Sequence, residues 1–118
     1  AAPEPCVPSA TKLCLAGGRF HVSVVWRDFF GNSGLGQAVT ETADSGLFWF
    51  FAPSNLELAV KMLDGAGTNG HFWLFHAGMT DLETTLTVLD TFTGQSRTLH
   101  KPPGTHAAGS TVELFPSP

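Results

Sequence analysis

The chain has 118 residues, which is room for one domain built on one hydrophobic core. Only 14% of its residues are charged, its net charge is −4, and its six Lys and Arg are scattered. With no basic stripe to follow a phosphate backbone, nucleic acid is excluded as the expected partner. A domain of this size buries enough surface to fold without a metal or cofactor, and none is expected.

The chain opens on Ala1 and Ala2, small residues of the kind a signal-peptidase cut leaves, and export to the cell surface or the extracellular space is the expected location. Pro3, Pro5 and Pro8 predict an extended arm over residues 1–18. Cys6 and Cys14 are close enough in sequence to close a short loop there by a disulfide in an oxidising compartment. Residues 19–118 are expected to form the folded domain. From Arg19 to Asp28, Phe20, Val22, Val24 and Trp26 alternate with Arg19, His21, Ser23 and Arg27, the pattern of a half-buried strand. The glycines of residues 29–36 predict a flexible loop, and Gln37–Ala43 a polar edge strand. Asp44, Ser45 and Gly46 then turn the chain into a strand over Leu47–Phe51.

After a break at Pro53, the side chains Leu56, Leu58, Val60 and Met62 mark another one-sided strand, which ends in a Gly- and Asn-rich turn over Asp64–Gly70. Further strands are expected at His71–His76, Leu82–Asp90, Gln95–His100 and Thr111–Phe115, with Leu86 and Val88 facing inward. No window keeps a helical period. No apolar run reaches the roughly 18 residues of a membrane span, because Lys61, Asp64 and glycines interrupt the longest candidates. Seven or eight short strands with frequent turn signals predict an all-β fold, an antiparallel β-sandwich with immunoglobulin-like topology. Its expected core is Phe20, Val22, Val24, Trp26, Leu58, Val60, Leu86 and Val88.

The segments GRFHVSVVWRD, GNSGLGQAV, SGLFWFF, NLELAVKMLDG, NGHFWLF and TLTVLDTFTG, in that order, span roughly residues 11–100. Together they resemble a small β-domain family of secreted bacterial proteins. That resemblance implies an exported β-domain, often joined to larger extracellular proteins, and brings no catalytic residues to carry over. The chain departs from the pattern at Ala66, where relatives often have Cys.

Chemical motifs are sparse. GNSGLG, Gly31–Gly36, lacks the following helix and the Lys-Ser/Thr of a phosphate loop. Asp64, Thr68 and Asn69 lack the order of a calcium loop, so Asp64 is expected to bond turn amides. Of the five histidines, His71 and His76 are an odd number of residues apart and fall on opposite faces of a strand. His71, His76 and Met79 are weak candidates for a zinc or copper site, and His100 with His106 could bracket a loop. There is no G-x-S-x-G, H-E-x-x-H or C-x-x-C, and no enzyme activity is expected.

The aromatic residues are the anomaly. Phe48 and Phe50 alternate with Trp49 and Phe51, and Phe72 and Leu74 with Trp73 and Phe75, so both strands are apolar on both faces. A two-layer sandwich buries one face of each sheet. Should the two strands pair, Trp49, Phe51, Trp73 and Phe75 would form a second, outward face, and large apolar patches mark interaction surfaces. The expected function is a non-catalytic structural or interaction module of an extracellular assembly, its partner a protein, the chain itself included. The alternative is a sandwich that binds metal or glycan.

Overall fold

The computed structural model describes residues 6–65, 67–104 and 108–116. The described residues form an all-β sandwich of two antiparallel sheets. Ten strands are present among the described residues: β1 (Leu13–Leu15), β2 (Phe20–Arg27), β3 (Ser33–Leu35), β4 (Gln37–Thr42), β5 (Ser45–Trp49), β6 (Leu56–Gly65), β7 (His71–Gly78), β8 (Glu83–Asp90), β9 (Ser96–Lys101) and β10 (Ala108–Pro116). Sheet I runs β1-β2-β8-β9, with β3 also paired to β2; sheet II runs β10-β7-β6-β5-β4. The two strands beyond the seven or eight expected from the turn signals include β1 and β3, three residues each, too short to show a period.

β2 and β8 lie side by side along their whole length, Val22 opposite Val88 and Val24 opposite Leu86. Their inward residues meet Leu58, Val60 and Met62 of β6 and Phe72 and Leu74 of β7, so the expected core is found at its expected positions. Trp26 is the exception in degree: it packs against the rim of the cluster, half-buried. Phe48, fully buried on β5, adds to the centre.

The N-terminal arm enters the sandwich earlier than the proline pattern suggests. Leu13 and Leu15 are fully buried, and β1 pairs with the first residues of β2, so the folded body begins at Leu13 rather than Arg19. Cys6 and Cys14 are joined by a disulfide, their Cα atoms 5.7 Å apart. The Cys6 amide donates to the Gly18 carbonyl and the Ala38 amide of β4 to that of Ala10, both at 2.8 Å. The segment thus bridges the edge of sheet I to the edge of sheet II and closes that flank. Gly46 on β5 makes room for it, since a Cβ there would collide with the Leu13 side chain and lie 2.8 Å from the Val39 carbonyl oxygen.

Arg19 is buried rather than facing water. The chain turns through Ala16, Gly17 and Gly18, all at positive φ, just before β2. That turn places the Arg19 guanidinium on Asp90 at the end of β8, Nε donating to Oδ1 at 2.9 Å and Nη2 to Oδ2 at 2.8 Å. The rings of Phe92, Phe72 and Phe20 surround the guanidinium carbon at 4.7, 4.8 and 5.3 Å. Burial of a charge is tolerated where it is paired and hydrogen-bonded, as here.

Residues 29–36 are more ordered than a flexible loop. Asp28 accepts from the amides of Phe30 and Asn32 at 2.9 and 2.8 Å and from the Asn32 side chain at 3.0 Å, and Ser33–Leu35 then pair back onto β2. Desolvation pushes the Asp28 carboxyl up, but these bonds together outweigh it and hold the pKa below its ordinary value.

Candidate functional site

The aromatic strands β5 and β7 are not neighbours. β6 lies between them, pairing with each. Three strands therefore build the outer face of sheet II. On β5, Phe48 is buried inward, so Leu47 and Trp49 point out; on β7, Phe72 and Leu74 point in, so Trp73 and Phe75 point out. On β6 the outward residues are Ala59, Lys61 and Leu63, opposite Ala77, Phe75 and Trp73 respectively. An extra residue on β6, between the partners of Phe48 and Trp49, sets Trp49 against Leu56.

Phe51 does not belong to this face. It follows the end of β5, is 55% exposed, and its ring lies 4.7 Å from that of Trp26, whose indole stacks on Phe50 at 6.1 Å. The chain leaves the sheet plane at Phe50, and strict alternation ceases to apply beyond it. Of the four residues expected to share one face, Trp49, Trp73 and Phe75 do so together with Leu47 and Leu63, but Trp49 stands at the Leu56 end of β6 and Trp73 at the Leu63 end, so only Trp73 and Phe75 are close neighbours.

Trp73 is the best fixed of them. Its indole Nε1 donates to Asn69 Oδ1 at 2.9 Å, and its ring meets Phe75 edge-on with centroids 6.4 Å apart. The ring also lies across Gly65, where any Cβ would collide with it. Asn69 Oδ1 accepts from the His71 amide as well, at 3.1 Å, while the Gly65 carbonyl takes the amides of Thr68, Asn69 and Gly70. The Gly- and Asn-rich turn is therefore a mount for Trp73. Asp64, expected inside that turn, is part of β6 opposite Phe72.

Between Leu47, Ala59, Phe75 and Ala77 the face sinks into a shallow groove of about 530 Å³, with Glu41 and Lys61 also lining it. The small side chains of Ala59 and Ala77 are its floor, since they stand opposite one another between bulkier neighbours.

The histidines do not converge. The His71 ring nitrogen Nδ1 is 3.0 Å from the Asn69 carbonyl oxygen. His76 lies on the inward side of β7, the opposite face from His71, and burial lowers its pKa. Burial, followed by the Lys12 charge, lowers that of His21. His100 pairs with Glu83 at 2.7 Å, Met79 is 55% exposed after β7, and His106 lies outside the described residues, as does Ala66. Among the described residues no three His, Cys, Asp or Glu side chains come together as a metal site. No helix among them is long and apolar enough to cross a membrane.

Leu47 and Leu63 were not singled out by sequence, and Asn69 was weighed only as an oxygen donor of a calcium loop, not as a partner of Trp73. The apolar pair Met62-Leu63, which breaks the alternation of β6, was the available signal that both faces of sheet II are apolar. Compared with protein-family models, with curated proteins and with solved structures, the chain finds no match in any of the three.

Proposed function

We propose that the domain is a non-catalytic interaction module of an extracellular assembly, and that the outer face of sheet II is its contact surface, meeting the same face of a second copy. One observation carries the reading: Leu47, Leu63, Trp73 and Phe75, with Trp49 at the opposite end from Trp73, line the side of a sheet that has no layer over it among the described residues. Apolar side chains on an uncovered sheet face mark interaction sites. The disulfide between Cys6 and Cys14 suits an oxidising, extracellular location. The resemblance to secreted bacterial β-domains points the same way.

Self-contact is favoured over a sugar platform because the polar tip of Trp73 is already engaged by Asn69. A stacking platform for glycans uses that polar edge as well as the ring. Charge also suits a second copy. Glu41 and Lys61 both line the groove, and a two-fold axis through it would bring Lys61 of one copy toward Glu41 of the other.

Magnitudes set the strength. Full burial of a large apolar side chain contributes about 1.5 to 3 kcal/mol, and these residues are already half-buried, so each retains only a fraction of that. After the cost of association, the pairwise contact should lie in the high-micromolar to millimolar range. Neighbours held close in an assembly reinforce contacts of that strength.

Sedimentation equilibrium of the full chain tests the reading. Association should rise with concentration and be weakened at least tenfold by Phe75→Lys, and likewise by Leu47→Lys if the first variant is poorly folded. A wild type that stays monomeric into the millimolar range, or lysine variants that associate as the wild type does, overturns it.

A further inference from the structure

The two flanks of the sandwich differ. The N-terminal segment closes the one between β2 and β4, whereas toward β9 the gap between the sheets holds a cavity of about 210 Å³, walled by Leu58, Leu86, Leu99 and Pro102. For scale, a dry cavity of about 150 Å³ takes up benzene, so this one accommodates a single ring or a short chain and no long acyl tail.

Its polar groups are of one kind. Every titratable side chain among the described residues lining it is a nitrogen base: His76 from β7, and His100 and Lys101 from β9. That is a biased selection in a chain with ten acidic residues against six Lys and Arg. Lys101 is only 8% exposed, and its ammonium donates to the Thr80 carbonyl at 3.2 Å. Asp81 acts on that ammonium from nearby, and Glu83 takes up His100 at 2.7 Å. His76 reaches the cavity from the opposite sheet, half-buried, on the inward side of β7.

We propose that this cavity is a binding site for a small monocarboxylate with an apolar tail, the tail lying among Leu58, Leu86 and Leu99 and the carboxylate meeting Lys101 and His76. The apolar walls disfavour a bare inorganic anion, which would lose its hydration without an equivalent return. A carboxylate beside Lys101 and His76 gains charge-assisted hydrogen bonds in a site partly shielded from water, where they are strongest. Burial pushes both bases toward their neutral forms, and an anion beside them opposes that bias. The site lies between the sheets and does not depend on the assembly role of the outer face.

The test is an NMR titration of the full chain, labelled at histidine and at backbone amides, with benzoate and with benzyl alcohol as its neutral counterpart. Benzoate should shift the His76 ring signals and the amides of β7 and β9 with a dissociation constant below about 1 mM, and benzyl alcohol should bind at least tenfold more weakly. Leu99→Trp, which fills the cavity, should remove binding, and Lys101→Met should weaken benzoate about tenfold while leaving benzyl alcohol unchanged. The proposal is overturned if benzoate leaves His76 unmoved, if the neutral alcohol binds as well as the acid, or if a folded Leu99→Trp binds as the wild type does. If Lys101→Met does not fold, the comparison of acid with alcohol on the wild type decides alone.

Discussion

Asp90→Ala is the most informative single perturbation of the fold. Asp90 is 1% exposed and accepts from Nε and Nη2 of the Arg19 guanidinium, at 2.9 and 2.8 Å, and from the Phe92 amide at 3.0 Å. Removing the carboxylate leaves the Arg19 charge among three phenylalanine rings without its counter-ion. Breaking a buried pair from one side costs about 3 to 5 kcal/mol. For a domain of this size about 1 kcal/mol corresponds to roughly 4 °C, so the midpoint of thermal unfolding should fall by roughly 12 to 20 °C. That is a large share of the total stability, which by size is about 6 to 18 kcal/mol. Acid adds an independent check. Desolvation pushes the Asp90 carboxyl up, but the Arg19 hydrogen bond, the Phe92 amide and the Arg19 charge outweigh it and hold the pKa below its ordinary value. The stabilisation is therefore present above the unfolded pKa of about 3.9 and is lost as pH falls through the folded one. Below about pH 4 the gap between wild type and Asp90→Ala should narrow. Calorimetric melts from pH 7 down to about pH 3 would show both effects. A loss of less than about 4 °C at neutral pH would mean that Arg19 finds water when its partner goes, refuting its enclosure by the rings.

Two further substitutions test other joints. Gly46→Val should destabilise by about 1 to 3 kcal/mol in denaturant titrations, because its side chain needs the space of Leu13, and Leu13→Ala made in the same chain should recover part of the loss; simple additivity would show that the two sites are not in contact. Glu57→Gln should stabilise by about 1 kcal/mol at pH 7, since Glu57 is 6% exposed, its Oε2 has no partner among the described residues, and burial raises its pKa against the opposing hydrogen bonds of Thr80 and the Phe50 amide. A raised folded pKa means that the charged form costs stability above the unfolded value of about 4.3, so the advantage of Gln should shrink as the pH is lowered through the folded pKa; a gain that persists unchanged in acid counts against the charge as its source.

Where regular alternation ran for six residues or more, the sequence was a sound guide. The core positions on β2, β6 and β8 lie where a period of two puts them, because each strand has a partner on both sides and one face against the core. The same rule failed within one residue of a strand end. Phe51 continues the alternation of Trp49 on paper, but β5 stops at Trp49, and past that point the chain follows the packing of Phe50 and Phe51 on Trp26. Leu13 and Leu15 were hidden for a related reason: three residues beside a proline-rich arm carry no period, and Leu13 occupies space that Gly46 leaves on the other sheet.

The adjacency of strands was the least legible feature, and the site depends on it. Two aromatic runs suggest a pair, yet pairing is fixed by connection length, and the short connections place β6 between β5 and β7. The consequence is chemical. With β6 in the middle, the outer face gains Ala59, Lys61 and Leu63, so Leu47 and Phe75 border a groove with small residues at its floor and a lysine in its wall, and the aromatic residues do not form one continuous sheet. A flat aromatic patch would associate with any apolar surface. A groove with Lys61 and Glu41 in its lining adds shape and charge conditions that a partner must meet, and a second copy in two-fold register meets the charge condition with its own residues.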